Sequence, residues 1–384
     1  MKDKKSVEVL LLVVILLFAV SVPLQYLVRK EVVVGVPADV AAQEAEEHAE
    51  EAQFSDNQPG PTEITVTNFG FEVGTREQIW GWSQVGTDQG AVIFRDEQVA
   101  HRGFASAAVD SNGAFVNDSG WFTKLAELPR DRQLEFRGYI KTRDLRGEAY
   151  LRIICEGAVE GSEQPQLLAS VSTDDLHGTN DWTLSSLRCF IPPEATGVWL
   201  EAGLFGRGQA WFDDLTLQSK EREDDLPLGQ NLLRNAALSD GASSWHMLTS
   251  TSNPVLDYGQ ASAGQSAASF FINRKGATNE DFTSTYQSVW GLYGHKGTLA
   301  ISGRLRSEGL AGTAFLAARL FKADGETGFR SANSVSGNSD WSDLNVKVDV
   351  SGSVDDVWVL IEMSGSGTVY VEGLSAVFEE APNQ

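Results

Sequence analysis

LEFRGYIKTRDLRGEAYL, residues 134–151, and LAISGRLRSEGLAGTAFL, residues 299–316, are two spellings of one phrase. Aligned without a gap, they pair Gly138 with Gly303, Leu145 with Leu310, Gly147 with Gly312 and Leu151 with Leu316. In the first spelling Leu134, Phe136, Gly138 and Ile140 fall on one side of an extended chain. Glu135, Arg137, Tyr139 and Lys141 fall on the other, which is the two-residue period of a half-buried strand. The alternation returns in Ala149, Leu151, Ile153 and Cys155 against Tyr150, Arg152 and Ile154. It returns again in Val198, Leu200, Ala202 and Leu204 against Trp199 and Glu201.

The repetition extends outward from there. GTNDWT (178–183) matches GNSDWS (337–342), and VWLEAGLFGRGQAWFDDL (198–215) matches VWVLIEMSGSGTVYVEGL (357–374). Trp182 then meets Trp341, Trp199 meets Trp358, Gly206 meets Gly365 and Trp211 meets Tyr370. From Thr62 onward short alternating runs are separated by Gly, Asp, Asn and Pro turns, and no long helical pattern intervenes. The reading is all-β: two tandem antiparallel sandwiches, residues 62–218 and 230–380, joined by a charged, proline-containing linker at 219–229.

At 384 residues the chain is long enough for both cores and more. Its 30 Lys and Arg against 53 Asp and Glu leave a net charge of −23, which excludes nucleic acid and anionic lipid as charge-matched partners. Ahead of the sandwiches, residues 9–28 read VLLLVVILLFAVSVPLQYLV, an uncharged run of about 20 residues that matches the hydrocarbon core of a bilayer. The expectation is a transmembrane signal anchor following a short tail, residues 1–8, whose Lys2, Lys4 and Lys5 keep the N-terminus cytoplasmic. A cleaved signal peptide ending near Ala19-Val20-Ser21 is the rival reading. Both place the remainder in the periplasm or outside the cell. Residues 29–61 form an acidic spacer, closed by Pro59-Gly60-Pro61.

NFGFEVG (68–74), RGYIKT (137–142), GTNDWT (178–183) and GRGQAWFDDL (206–215), in that order, resemble the carbohydrate-binding, cellulose-binding-C-like branch of the galactose-binding-like jelly rolls. The second copy keeps the framework and loses several of the polar signature residues. The resemblance implies jelly-roll sandwiches of two sheets packed face to face, with a glycan groove on the outer face of one sheet. If the alternating strands share that sheet, Tyr139, Tyr150, Arg152, Trp199 and Glu201 decorate it, flat rings for sugar faces and polar groups for hydroxyls. Arg304, Phe315, Trp358 and Glu362 form the poorer equivalent in the second copy. The competing reading is that these rings are covered by a loop, a neighbouring domain or another subunit. The resemblance further implies a structural calcium ion at Glu72, Asp213 and Asp214 of the first copy.

Cys155 and Cys189 are the chain's only cysteines; they admit a disulfide or two buried thiols. Catalysis finds little footing: five histidines are scattered, and Glu135 and Glu201 are the only outward carboxylates to nominate as a pair. The expectation is therefore a non-enzyme, a membrane-anchored scaffold subunit that contacts other proteins of a membrane or envelope complex. The alternative is a membrane-tethered carbohydrate-binding protein recognising a cell-surface or extracellular glycan.

Overall fold

The computed structural model describes residues 62–381, apart from 88–89, 159–164, 174–175, 223–225, 239–243, 250–255, 261–268, 275–281, 323–324, 353 and 355. The expected anchor or signal peptide and the acidic spacer lie outside the described residues. Among those residues no helix is long and apolar enough to cross a membrane.

The first copy contains β1 (Thr62–Glu63), β2 (Gly74–Thr75), β3 (Gln78–Ile79), β4 (Ser83–Val85), β5 (Val92–Asp96) and β6 (Ser106–Asp110). It continues with β7 (Val116–Lys124), β8 (Arg132–Gly157), β9 (Gln166–Ser172), β10 (Leu176–Ile191) and β11 (Ala195–Lys220). The second copy contains β12 (His246–Thr249), β13 (Leu256–Gln260), β14 (Ser269–Arg274), β15 (Phe282–Trp290) and β16 (Lys296–Lys322). It ends with β17 (Gly325–Arg330), β18 (Val335–Ser351), β19 (Asp356–Ser364) and β20 (Gly367–Glu380).

The long strands build both layers of the first sandwich. The N-terminal half of β8 pairs with β10 and with the C-terminal half of β11, which also pairs with β6. The C-terminal half of β8 pairs with β9 and with the N-terminal half of β11, which also pairs with β7. We call these the back and front sheets. The second copy repeats the plan: β16 pairs with β18 and β20 in its back sheet, then with β17 and β19 in its front sheet, where β15 and β12 follow.

The glycines shared by the two copies mark the bends between layers. A Cβ on Gly147 would sit 1.9 Å from the Phe205 carbonyl oxygen, and one on Gly206 would sit 2.3 Å from that of Arg146. Only glycine lets β8 and β11 cross this closely while changing sheets. In the second copy Gly312 meets the Ser364 carbonyl oxygen in the same way, at 2.2 Å.

Each sandwich closes on its own core. Leu134, Phe136, Ile140, Ala149, Leu151, Ile153, Val198, Leu200 and Leu204 all point inward and are fully buried, as their alternation requires. Leu299, Ile301, Leu316, Val357, Val359 and Ile361 fill the second core.

One open alternative is narrowed here and one expectation is corrected. Cys155 and Cys189 are both buried, and among the described residues no disulfide joins them. Their inward phase is as expected, but Cys155 sits on the front half of β8 and Cys189 on β10 of the back sheet. Glu135 and Glu201 are likewise on opposite layers, so they do not face each other across a groove. Thiol titration of the unreduced protein should therefore show both cysteines unreactive when folded and both reactive in denaturant. A denatured protein with no reactive thiol would contradict this arrangement.

Candidate functional site: the facing outer surfaces

The outward residues of the first front sheet form the expected row. Across β8 and β11, Ile154 stands opposite Trp199, Arg152 opposite Glu201, Tyr150 opposite Gly203 and Glu148 opposite Phe205. The Tyr150 ring lies over Gly203, where a Cβ would come within 2.8 Å of it. The Arg152 guanidinium lies 4.2 Å from the centre of that ring, donates to Asp118 at 2.9 Å and stands 3.6 Å from Glu201. The Tyr150 hydroxyl also bonds Asp118. Trp199 Nε1 donates to Glu156 at 2.9 Å, with Lys124 Nζ 4.9 Å from the ring centre.

This is not an open platform. Tyr150 and Glu201 are fully buried, and Arg152 and Trp199 keep only 5% and 8% of their surface. The cover is the other copy. Leu167, on edge strand β9, packs against the Phe122–Ile154–Trp199 cluster and also against the Tyr286–Phe321–Trp358–Leu360 cluster of the second front sheet. Met247 of β12 packs on Tyr150 and Phe205. Its neighbour His246 places Nδ1 3.1 Å from Glu148, both side chains being buried. Arg234 Nη1 donates to the Ser172 carbonyl at 3.5 Å, and Phe190 meets Tyr293 with ring centres 4.7 Å apart.

The second copy contributes its equivalent face. Trp358, which holds the repeat position of Trp199, stacks on Tyr286 at 4.2 Å and takes Phe321 edge-on at 4.7 Å. Arg319 and Glu362 form a buried ion pair at 3.4 Å, and Arg330 reaches Glu362 at 3.0 Å while lying over Phe315. Both outward faces are thus used against each other. Each ring removed from water contributes about 1.5 to 3 kcal/mol to holding the copies together.

Asp356 ties the junction. Its carboxylate accepts the Ser170 backbone N–H of the first copy at 3.0 Å, Trp358 Nε1 at 2.9 Å and the Ser288 hydroxyl. Complete burial pushes its pKa up to about 7, the three hydrogen bonds opposing that rise only in part. The folded protein therefore keeps a proton that the unfolded chain releases near the ordinary value of 3.8. The sign follows: this group's stabilising contribution is complete in acid, declines as pH rises above 3.8 and is gone above about 7.

The remaining expected residues lie elsewhere. Tyr139 and Arg304 sit on the back halves of β8 and β16, away from the row they were grouped with, because each strand changes layer at its bend. Tyr139 stacks on His101 at 3.7 Å, with Trp182 edge-on to the histidine at 5.6 Å. Arg304 bonds Glu372 at 2.6 Å and Asp343 at 3.3 Å.

Glu72, Asp213 and Asp214 converge on the 101–104 loop, and their oxygens are taken by donors. Glu72 accepts the Phe104 N–H at 3.0 Å, and Asp213 accepts the N–H groups of His101 at 2.7 Å and Arg102 at 3.1 Å. Asp214 lies 2.5 Å from His101 Nδ1. Burial raises the Asp213 pKa to about 6 and raises that of Glu72 as well. Among the described residues no group of three or more His, Cys, Asp or Glu could hold a metal. As placed, the three carboxylates staple the 101–104 loop.

Leu167, Ser170, Asp356 and Asp118 were missed by the sequence reading. One signal was present: VWVLIEM (357–363) is apolar on both phases except at Glu362, the mark of a strand buried on both faces.

No family model and no curated protein matches this chain. Solved structures do. The N-terminal CBM22-1–CBM22-2 tandem domain from Paenibacillus barcinonensis Xyn10C is 14% identical, over 84% of this chain and 100% of that one, with a TM-score of 0.32. The CBM22-1 xylan-binding domain of the same protein is 17% identical over 40% of this chain and 94% of that one, TM-score 0.30. The CBM22-1–GH10 modules of Clostridium thermocellum Xyn10B are 17% identical over 47% of this chain and 31% of that one, TM-score 0.32. These neighbours include tandem carbohydrate-binding modules.

Replacing Asp356 with Asn should flatten the fall in thermal midpoint between about pH 4 and pH 7, since the amide has no proton to lose. An unchanged slope would remove Asp356 from the junction's pH response. Trp358→Ala should cost about 3 to 5 kcal/mol in denaturant unfolding, as for a large buried ring.

Proposed function

We propose that this chain is a non-catalytic, membrane-anchored scaffold that holds two β-sandwiches outside the cytoplasm as one rigid body contacting other proteins of a membrane or envelope complex. The apolar run at 9–28 and the acidic spacer behind it supply the tether. The observation that carries the reading is the burial of Tyr150, Arg152, Trp199 and Glu201 against the second copy. Rings that would serve a sugar are already spent on joining the two sandwiches. Surfaces left for partners are the back sheets, where Leu184 stands 55% exposed, and the 101–104 loop of the first copy, where Phe104 stands 82% exposed.

Carbohydrate recognition is the second reading. Its support in this chain is the half-buried Tyr139–His101–Trp182 cluster on the first back sheet, with Lys141 bonded to Asp181 beside it at 2.5 Å.

The full chain purified in mild detergent separates the two readings. The scaffold reading expects stoichiometric membrane or envelope proteins to co-purify and no saturable signal on a glycan array. Trp199→Ala should then lower the unfolding temperature without creating or abolishing any glycan signal. A saturable glycan signal lost on Tyr139→Ala, with no co-purifying protein, would overturn it.

A further inference from the structure

A cavity of about 290 Å³ lies where β8 and β11 change layers in the first sandwich, and three arginines line it: Arg143, Arg146 and Arg207. That is unusual company in a chain of net charge −23. Arg146 and Arg207 stand directly opposite each other across β8 and β11. Like charges in that position repel and weaken the pairing. Among the described residues none of the three arginines makes an ion pair, and the buried Nε of Arg207 has no hydrogen-bond partner.

Arg143 is held in place by Gln209, whose Oε1 accepts from its Nε at 2.6 Å while its amide donates to Asp110. Arg143 also lies 5.1 Å from the centre of the Trp211 ring. The cluster is therefore built, with one member fixed and two presented unpaired.

The second copy shows that the bend does not need these arginines. Gly147, Gly206 and Gly208 recur there as Gly312, Gly365 and Gly367. Arg143, Arg146 and Arg207 are replaced by Glu308, Ala311 and Ser366. Glu308 is itself neutralised by Arg306 at 2.9 Å. The same turn is made without positive charge, so the arginines serve something other than the turn.

We propose that this cavity binds a small acidic sugar, a uronic acid unit, whose carboxylate lies between Arg146 and Arg207. A carboxylate there relieves the arginine pair and satisfies Nε of Arg207 by charge-assisted hydrogen bonds. The wall also carries Asp144, and Ser111, whose oxygen accepts the Gly208 N–H at 2.9 Å and so keeps its own proton to donate. These groups suit sugar hydroxyls, and Asp144 disfavours a bare phosphate dianion. The volume lies at the small end of ligand sites and suits one sugar unit. None of the residues lining this site belongs to the buried front faces, and it stands whichever reading of them holds.

Calorimetric titration of the full chain in mild detergent tests the assignment with three probes: glucuronate, glucose and inorganic phosphate. Glucuronate should bind saturably and more weakly at high salt, while glucose does not bind. Arg146→Gln and Arg207→Gln should each weaken glucuronate by about tenfold or more, the loss expected for a charge-assisted hydrogen bond. Arg304→Gln, on the other copy, should leave it unchanged. Without ligand, Arg146→Gln should match or exceed the parent's melting temperature because the facing charges no longer repel. The proposal is overturned if glucuronate shows no saturable binding, if glucose binds equally, or if phosphate binds in preference. Undiminished binding by both folded arginine variants would overturn it as well.

Discussion

The closing of one outer sheet face on its repeat is the interaction on which the rest of this molecule depends. A front sheet bearing Tyr150, Trp199 and Phe205 on its outside has two apolar surfaces, and one sandwich core can cover only one of them. The second copy supplies the missing cover, with Leu167 set between the Trp199 and Trp358 clusters and Met247 seated on Tyr150. Buried polar groups then limit how the faces can meet. Glu148 of the first copy pairs with His246 of the second, while Arg152 with Asp118 and Glu201, and Arg319 with Glu362, are pairs within one copy that the docking buries. A buried pair across the junction contributes little net stability, but breaking it leaves a buried polar group without its partner, so it penalises every alternative register.

Duplication supplied two equal surfaces, and divergence then changed what each surface does away from the junction. On the first back sheet His101 stacks on Tyr139 and a carboxylate staple secures its loop. At the matching place of the second, Arg304 replaces the tyrosine, pairs with Glu372 and lies 5.6 Å from the ring of Trp341. Trp182 and Trp341 thus keep one position while their partner changes from an edge-on histidine ring to a cation. The layer bends behave oppositely, with constant glycines and changed charges. Backbone approach allows no substitution there, whereas the side chains facing solvent are free to differ.

What the sequence made legible was local phase. Strand period places Leu134, Phe136, Leu151, Cys155 and Leu204 inward with no knowledge of the fold, because one residue of slip would reverse every side chain. Phase says which side faces a residue's own core; it says nothing of what meets the other side. Trp199 and Glu201 were therefore legible as outward and illegible as buried. Strand membership failed for a different reason: β8 is continuous in sequence and in hydrogen bonding, and its change of layer rests on Gly147 and a positive φ of 50° at Asp144. Tyr139 and Tyr150 share a strand but not a sheet, and Cys155 and Cys189 share a core but not a layer. Asp356 was silent because its partners, Ser170 and Ser288, are distant in sequence and ordinary in type.

Rigidity between the copies follows from how the connection is held. Two sandwiches joined by a charged, proline-containing linker would by default move independently. Here β11 carries regular pairing as far as Lys220, and Arg222 then lies over Phe190 of the first copy and Tyr293 of the second, at 5.2 Å and 5.8 Å. The linker's own first turn is thus part of the junction. A hinge motion would have to strip Arg222 from both rings, expose the Trp199 and Trp358 clusters, and leave Asp356 without Ser170. These losses fall together, so the junction opens as a unit or stays shut. Relative placement of the two back sheets is thereby set by the same contacts that remove the front sheets from solvent.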